Sequence, residues 1–216
     1  REKLNMIVEN HSGHTQLAAR ALFGIVKTYE YEGRWDKAEP YLDEIIEQYP
    51  ETETGLLAPY YKGQYYERMG SLEKVKEVYD EALTHYDEVI ERNKNSAIEF
   101  YALRFKSNIY TRLARFPEAV ESIKAILFNF ADKPYFHPKK IDTTVRSLNS
   151  ISLVYQNDVE LAIETYEEFL EKYPEHRHKA YFTSILNALK EIDLNANPQR
   201  SNPQLFPQEP QKSEVK

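Results

Sequence analysis

The side chains that could do chemistry in this chain are histidines and carboxylates, and neither falls into a spacing that completes a reactive site. His11-Ser-Gly-His14 and His176-Arg-His178 each bring two imidazoles close enough to share a metal, but no carboxylate set accompanies either pair. With His85 and His137, they read as loop or surface histidines. Carboxylates recur at Glu44, Glu47, Glu164, Glu167, Glu168 and Glu171, and any two could in principle act as acid and base. Their spacing is instead that of the wet face of amphipathic helices. The chain contains no cysteine, which excludes disulfides, thiolate zinc sites, iron–sulfur clusters and cysteine nucleophiles. The six glycines (Gly13, Gly24, Gly33, Gly55, Gly63 and Gly70) are too dispersed for a dinucleotide fingerprint or a phosphate loop. No Ser-His-Asp arrangement follows from spacing. The expectation is a protein that is not an enzyme, with no catalytic residue, no metal and no cofactor.

What remains is organisation. The 216 residues can bury a sizeable core, and 41% hydrophobic with 29% charged residues suits a folded chain. A formal net charge of -7 argues against a dedicated nucleic-acid binder, which needs a basic face. No apolar run approaches the roughly 20 residues of a membrane span. The chain starts at Arg1 without a signal-like segment, as a processed product or an excised piece would.

The strongest pattern is a repeat. Gly33-Arg-Trp35-Asp-Lys-Ala38 is echoed by Gly70-Ser-Leu72-Glu-Lys-Val75, Ala114-Arg-Phe116-Pro-Glu-Ala119 and Asn157-Asp-Val159-Glu-Leu-Ala162. Four residues before each turn stand Tyr29, Tyr66, Tyr110 and Leu153. Nine after it stand Leu42, Tyr79, Ile123 and Tyr166, and thirteen after it Ile46, Leu83, Leu127 and Leu170. Apolar residues three and four apart put a stripe on one helix face, so each unit is a pair of helices joined by a short turn. The small residue at Ala38, Ala119 or Ala162 lets the second helix approach the first. Tyr49-Pro50 and Tyr173-Pro174 stop two of the second helices, because proline lacks the N–H and pushes the preceding residue out of helix. A helix pair with apolar surface on both sides is not stable alone, and stacking such pairs makes a solenoid.

These residues resemble the tetratricopeptide repeat over about residues 15–175. The likeness is clearest in second helices, at Ala38, Leu42, Ile45 and Pro50 and at Ala162, Tyr166, Phe169 and Pro174, with Gly63 and Tyr66 supplying a first-helix pair. Leu22, Pro59, Leu103 and Arg146 stand where the family carries tryptophan. Successive copies are offset by 37, 44 and 43 residues (38 to 75, 75 to 119, 119 to 162) and not by the family's roughly 34. The excess falls in a prolonged second helix, Ser71 to about Arg92, and in a loop from Phe130 to Pro138. The resemblance implies an all-α, right-handed superhelical solenoid of antiparallel helix pairs. Four pairs are expected at about 19–52, 56–93, 100–131 and 143–174. Residues 1–14 read as the tail of a preceding repeat helix, with Met6, Ile7 and Val8 as its apolar end. Residues 176–194 read as a capping helix with Ala180, Tyr181, Ile185, Leu186, Leu189 and Ile192 inward, and residues 195–216 as a proline- and glutamine-rich tail.

In this family the first helices line a concave face that takes extended peptides. Carried over by position, that implies a partner-binding surface of Lys27, Tyr60, Gln64, Arg68, Tyr101, Arg104, Asn108 and Arg112. Arg104, Asn108 and Arg112, four apart, would form one ridge able to grip a carboxylate and a peptide backbone. Of the tyrosine pairs, Tyr66 reads as core and Tyr60 as an exposed interface residue. The implied function is a non-catalytic scaffold for a partner protein or peptide, acidic or with a free C-terminal carboxylate. The alternatives are an obligate structural subunit of a larger assembly and a regulatory domain of a longer multidomain protein. Leu205 and Phe206 of the tail could give a self-contact. The Tyr-Pro endings resemble those of bacterial envelope members of the family, which leans placement toward the periplasm or envelope, with the cytoplasm as the alternative.

Overall fold

The structure, a computed structural model, describes residues 1–11, 13–130, 133 and 138–196. Gly33 (φ 70°), Gly70 (φ 71°), Ala114 (φ 55°) and Asn157 (φ 51°) occupy the four turn positions of the repeat, and all four are left-handed. A helix that must reverse sharply ends with such a residue, because the left-handed conformation lets the next N–H groups bond back onto the final carbonyls. Three copies do this in one way. Arg34 N–H donates to the Tyr29 carbonyl (2.9 Å), Ser71 N–H to that of Tyr66 (3.2 Å) and Arg115 N–H to that of Tyr110 (2.8 Å). The tyrosines four before each turn therefore accept the bonds that close it.

The chain divides into two compact units, Arg1–Phe136 and His137–Lys216. The first holds α1 (Glu2–Asn10), α2 (Thr15–Tyr31), α3 (Trp35–Gln48), α4 (Glu53–Arg68), α5 (Leu72–Arg92), α6 (Ala97–Arg112) and α7 (Phe116–Phe130). Helices α2 and α3, α4 and α5, and α6 and α7 pair, and α3 on α4 and α5 on α6 join successive pairs. First helices are apolar on two sides. In α2, Ala18, Leu22 and Ile25 are buried along one line while Ala19 and Val26 are buried along another. Such a helix has to lie between neighbours, whereas α3 buries only the single stripe Ala38, Leu42 and Ile45. Ala38, Ala119 and Ala162, five residues after their turns, are all fully buried. The approach is closer still at Gly63, where an added Cβ would stand 2.1 Å from the Tyr79 ring.

Junctions between pairs are capped locally. The Thr52 hydroxyl accepts from Gly55 N–H (2.9 Å), and the Ser96 hydroxyl from Ile98 and Glu99 N–H (3.1 and 3.2 Å), so both first helices start on an N-cap. The Tyr86 hydroxyl donates to the Leu56 carbonyl (2.6 Å), tying the far end of the 21-residue α5 back to the start of α4. At the start of the chain α1 packs against α2 through Leu4 and Val8, while Met6 is 53% exposed. Met6, read as part of the apolar end of this segment, therefore does not pack inward, because Leu4 and Val8, one helical turn apart, make the contact.

The second unit holds α8 (Pro138–Ser150), a π-helical turn over Ile151–Gln156, α9 (Glu160–Lys172) and α10 (Lys179–Ala196). The π turn overturns one expectation. Leu153, placed by its offset with the tyrosines of the other copies, is 37% exposed, and Val154 and Tyr155 beside it are 74% and 56% exposed. A π turn holds one more residue than an α turn, so the chain slips by one. Asp158 N–H donates to Ser152 O (2.9 Å), and Ile151 and Ser152 are buried instead. The inner side of α10 also differs from expectation. Phe182, Leu186 and Leu189 are buried, whereas Ala180, Tyr181 and Ile192 are exposed. Phe182 packs on Phe169 (4.5 Å between centroids) and Tyr166 (6.0 Å), and this aromatic contact sets the helix's rotation. Helix α10 takes in Asn195 and Ala196, assigned above to the tail. The rest of the tail, Leu205 and Phe206 included, and most of the 130–138 loop lie outside the described residues.

Ala114 is the one turn residue that gains nothing from a left-handed backbone, since its Cβ crowds the following carbonyl there. Ala114→Gly is expected to raise unfolding stability by about 0.5–1 kcal/mol in urea titration followed by circular dichroism.

Candidate functional site

Helices α2, α4 and α6 lie side by side, α2 against α4 and α4 against α6. All eight residues assigned to the partner surface stand on these three helices. Counted back from the turns Gly33, Gly70 and Ala114, several are equivalent: Lys27, Gln64 and Asn108 each stand six before their turn. Glu30 and Glu67 each stand three before, and Arg68 and Arg112 two before.

That register turns two of the arginines, both still exposed, sideways onto the neighbouring first helix. Arg68 of α4 pairs with Glu30 of α2 at 2.7 Å, and Arg112 of α6 pairs with Glu67 of α4. These are one contact made twice, a guanidinium from each first helix gripping the glutamate of the first helix before it. The expected ridge of Arg104, Asn108 and Arg112 is therefore divided. Arg112 also donates to the Tyr60 hydroxyl (2.9 Å) and lies over its ring, 5.5 Å from the centroid. Tyr60, read as exposed, is half-buried against Phe105 (5.5 Å) and Tyr79 (6.4 Å). Tyr66 is half-buried too, its hydroxyl donating to Glu39 (2.8 Å) and accepting from the Trp35 indole (3.4 Å).

Glu30 is the hub of the α2–α4 contact. Besides Arg68 it accepts from the Lys27 ammonium (2.6 Å) and from the Tyr61 hydroxyl, and Lys27 also bonds that hydroxyl at 2.7 Å. Burial pushes the Glu30 carboxyl up, but the hydrogen bonds from Lys27 and Tyr61 and the charges of Lys27 and Arg68 outweigh it and hold the group below its ordinary 4.5. Burial and the Glu30 contact push the Tyr61 phenol up. Glu30, Tyr61 and Glu67 are not among the residues that the family's pattern selects by position. Their signal lies in pairs 31 to 45 positions apart, roughly one repeat, which no local pattern displays.

The remaining residues of the surface are less engaged. Arg104 is exposed, and Gln64 and Asn108 are half-buried. None of the three has a hydrogen bond or ion pair to another described residue. Tyr101 packs against the buried residues shared by α4, α5 and α6 and sits edge-on to Phe100 at 5.3 Å.

Of the histidines, His11 and His14 are exposed, with rings 6.0 Å apart. His176 corrects the surface reading. It is 8% exposed, its ring lies 5.2 Å from Phe169 and 5.9 Å from Phe182, and its Nδ1 accepts from His178 N–H (3.2 Å). It is a core residue because α9 and α10 present aromatic faces to it. His137 lies outside the described residues. Among the described residues no group of His, Asp and Glu could hold a metal ion, and no helix is long and apolar enough to cross a membrane.

Because folding lowers the pKa of Glu30, its contribution to stability is present above the unfolded value and lost as pH falls through the folded one. The stability gap between the wild type and Glu30→Gln is thus expected to be full near neutral pH and to close as pH falls below about 4.5. Urea midpoints measured at a series of pH values check this, and a gap that persists at the acid end contradicts it.

A family model described as the tetratricopeptide repeat matches residues 20–52 and 150–176. The first match covers most of α2, all of α3 and the Tyr49-Pro50 ending, and the second covers the π turn, α9 and the Tyr173-Pro174 ending. No curated protein and no solved structure matches the chain. The matches fall on helix pairs closed by left-handed turns and packed through fully buried alanines, in a structure whose described residues are helical without strands. The chain carries tetratricopeptide repeats at residues 20–52 and 150–176.

Proposed function

We propose that the chain is a non-catalytic scaffold that holds a partner protein or an extended peptide on the α2–α4–α6 face. Tetratricopeptide repeats mediate protein–protein interactions, and the family is typically non-catalytic. The observation that carries the reading to this face is the state of its polar groups. Lys27, Arg68 and Arg112 are committed to Glu30 and Glu67. Arg104, Asn108 and Gln64, on the two adjoining helices α4 and α6, have no partner among the described residues. A guanidinium and two primary amides supply donors for a carboxylate and both donors and acceptors for a peptide backbone. The ligand that suits them is an acidic segment or a chain end with a free carboxylate.

One observation favours a second reading, an obligate subunit of a larger assembly. Tyr31, Met69 and Leu72, at the turns of the first two pairs, are 94%, 63% and 82% exposed. Fixed neighbours would cover such side chains. Sedimentation across a range of concentrations, alone and with captured partners, separates the two. Placement in a bacterial envelope rests on the Tyr-Pro endings, and fractionation of the source cell tests it.

Arg104→Glu is expected to weaken partner capture about tenfold or more at low salt while helicity and the urea midpoint stay unchanged. Arg112→Glu also reduces capture but lowers stability, because it sets a carboxylate against Glu67. Unchanged capture by Arg104→Glu rules out the carboxylate-gripping face.

A further inference from the structure

On the side of α4 away from Gln64, helices α3 and α5 both pack against it and leave a crevice of 210 Å³ between them. Its floor is apolar, formed by Ile46, Pro59, Val78 and Ala82. Its charges are unbalanced. Lys62, the one lysine or arginine among the described residues lining it, is nearly covered (13% exposed), and its ammonium is held by Asp43 at 2.7 Å and Glu39 at 3.1 Å. That cation is already neutralised, with two carboxylates to one ammonium. Glu47 of α3 and Glu81 of α5 line the same crevice and have no ion pair or hydrogen bond to any described residue.

His85 completes the lining. Burial pushes its imidazole below the ordinary 6.5, partly offset by Glu88, so near neutral pH it brings no positive charge of its own. Its Nε2 is shut off from solvent and has no hydrogen-bond partner among the described residues. The crevice thus offers an apolar trough with excess negative charge at its edges. That combination suits a long aliphatic stem carrying a cation at its tip, which buries its methylenes and leaves its charge at the rim.

We propose that this crevice docks a lysine or arginine side chain of a partner protein, the stem against Ile46, Pro59, Val78 and Ala82 and the charge facing Glu47 and Glu81. This second contact surface is independent of the α2–α4–α6 face. It calls for a basic segment where that face calls for an acidic one.

The test titrates the whole chain with two blocked pentapeptides, glycines around a central lysine and the same peptide with norleucine in its place. NMR reads the imidazole C–H signals of His85 and the backbone amides of α3 and α5. The lysine peptide is expected to shift these signals and to bind roughly three- to tenfold more tightly than the norleucine peptide, a difference that added salt removes. The double variant Glu47→Gln/Glu81→Gln, changed only at exposed positions, is expected to erase that difference while leaving norleucine binding as it was. Equal affinity for the two peptides, no shift at all, or an unchanged lysine titration in the double variant overturns the proposal. A third arm uses spermidine. If it saturates the crevice at concentrations about a hundredfold lower than the peptide, the occupant is a small polyamine and the assignment to a protein side chain falls.

Discussion

A residue with positive φ closes each first helix, and the register of the rest follows from it. The left-handed step brings the next N–H groups back onto the last carbonyls, which fixes where the second helix begins relative to the first. Five residues on, an alanine or Val75 is buried, and nine residues on a large buried side chain follows it. The same step sets which side chains point along the row of first helices. Because Gly33, Gly70 and Ala114 are equivalent, so are Glu30 and Glu67, and so are Arg68 and Arg112. The ion pairs between first helices are a product of turn geometry. Each is part-exposed and worth little alone, but each shares Tyr61 or Tyr60 with its neighbours and so orients polar side chains across the face.

The second unit shows what happens when the step is taken one residue late. The π turn moves the accepting carbonyl from the expected position to Ser152 and swings Leu153, Val154 and Tyr155 outward. Asn157 keeps its left-handed backbone, and Ala162 and Tyr166 keep their buried places. The turn and the second helix are preserved, and the cost falls on the end of the first helix.

The helix pairs were legible because their requirements are local: a residue tolerant of positive φ, a small residue, and apolar residues at helical spacing. The π turn was not, since an extra residue in a helix leaves no mark when the surrounding residues are apolar in either register. In α10 the sequence carries two apolar stripes, one through Tyr181 and Ile192 and one through Phe182, Leu186 and Leu189. Only the aromatic surface of α9 chooses between them. The candidate surface was legible by position and not by state. Lys27, Arg68, Arg104 and Arg112 look alike in sequence, and which of them is spoken for depends on a glutamate about one repeat away.

Trp35 is the sole tryptophan of the chain, and it lies flat on Tyr65, with centroids 3.4 Å apart and planes 4° apart. That stack joins the start of α3 to the far end of α4, so the only indole spans the junction of the first two repeats. Its emission is therefore a local probe, while the far-ultraviolet ellipticity averages over every helix. In a stacked array each repeat is held mainly by its neighbours, and distant parts can melt separately. Fluorescence and ellipticity traces that fail to superimpose would then reveal the array coming apart in sections, read from a chromophore the sequence already contains.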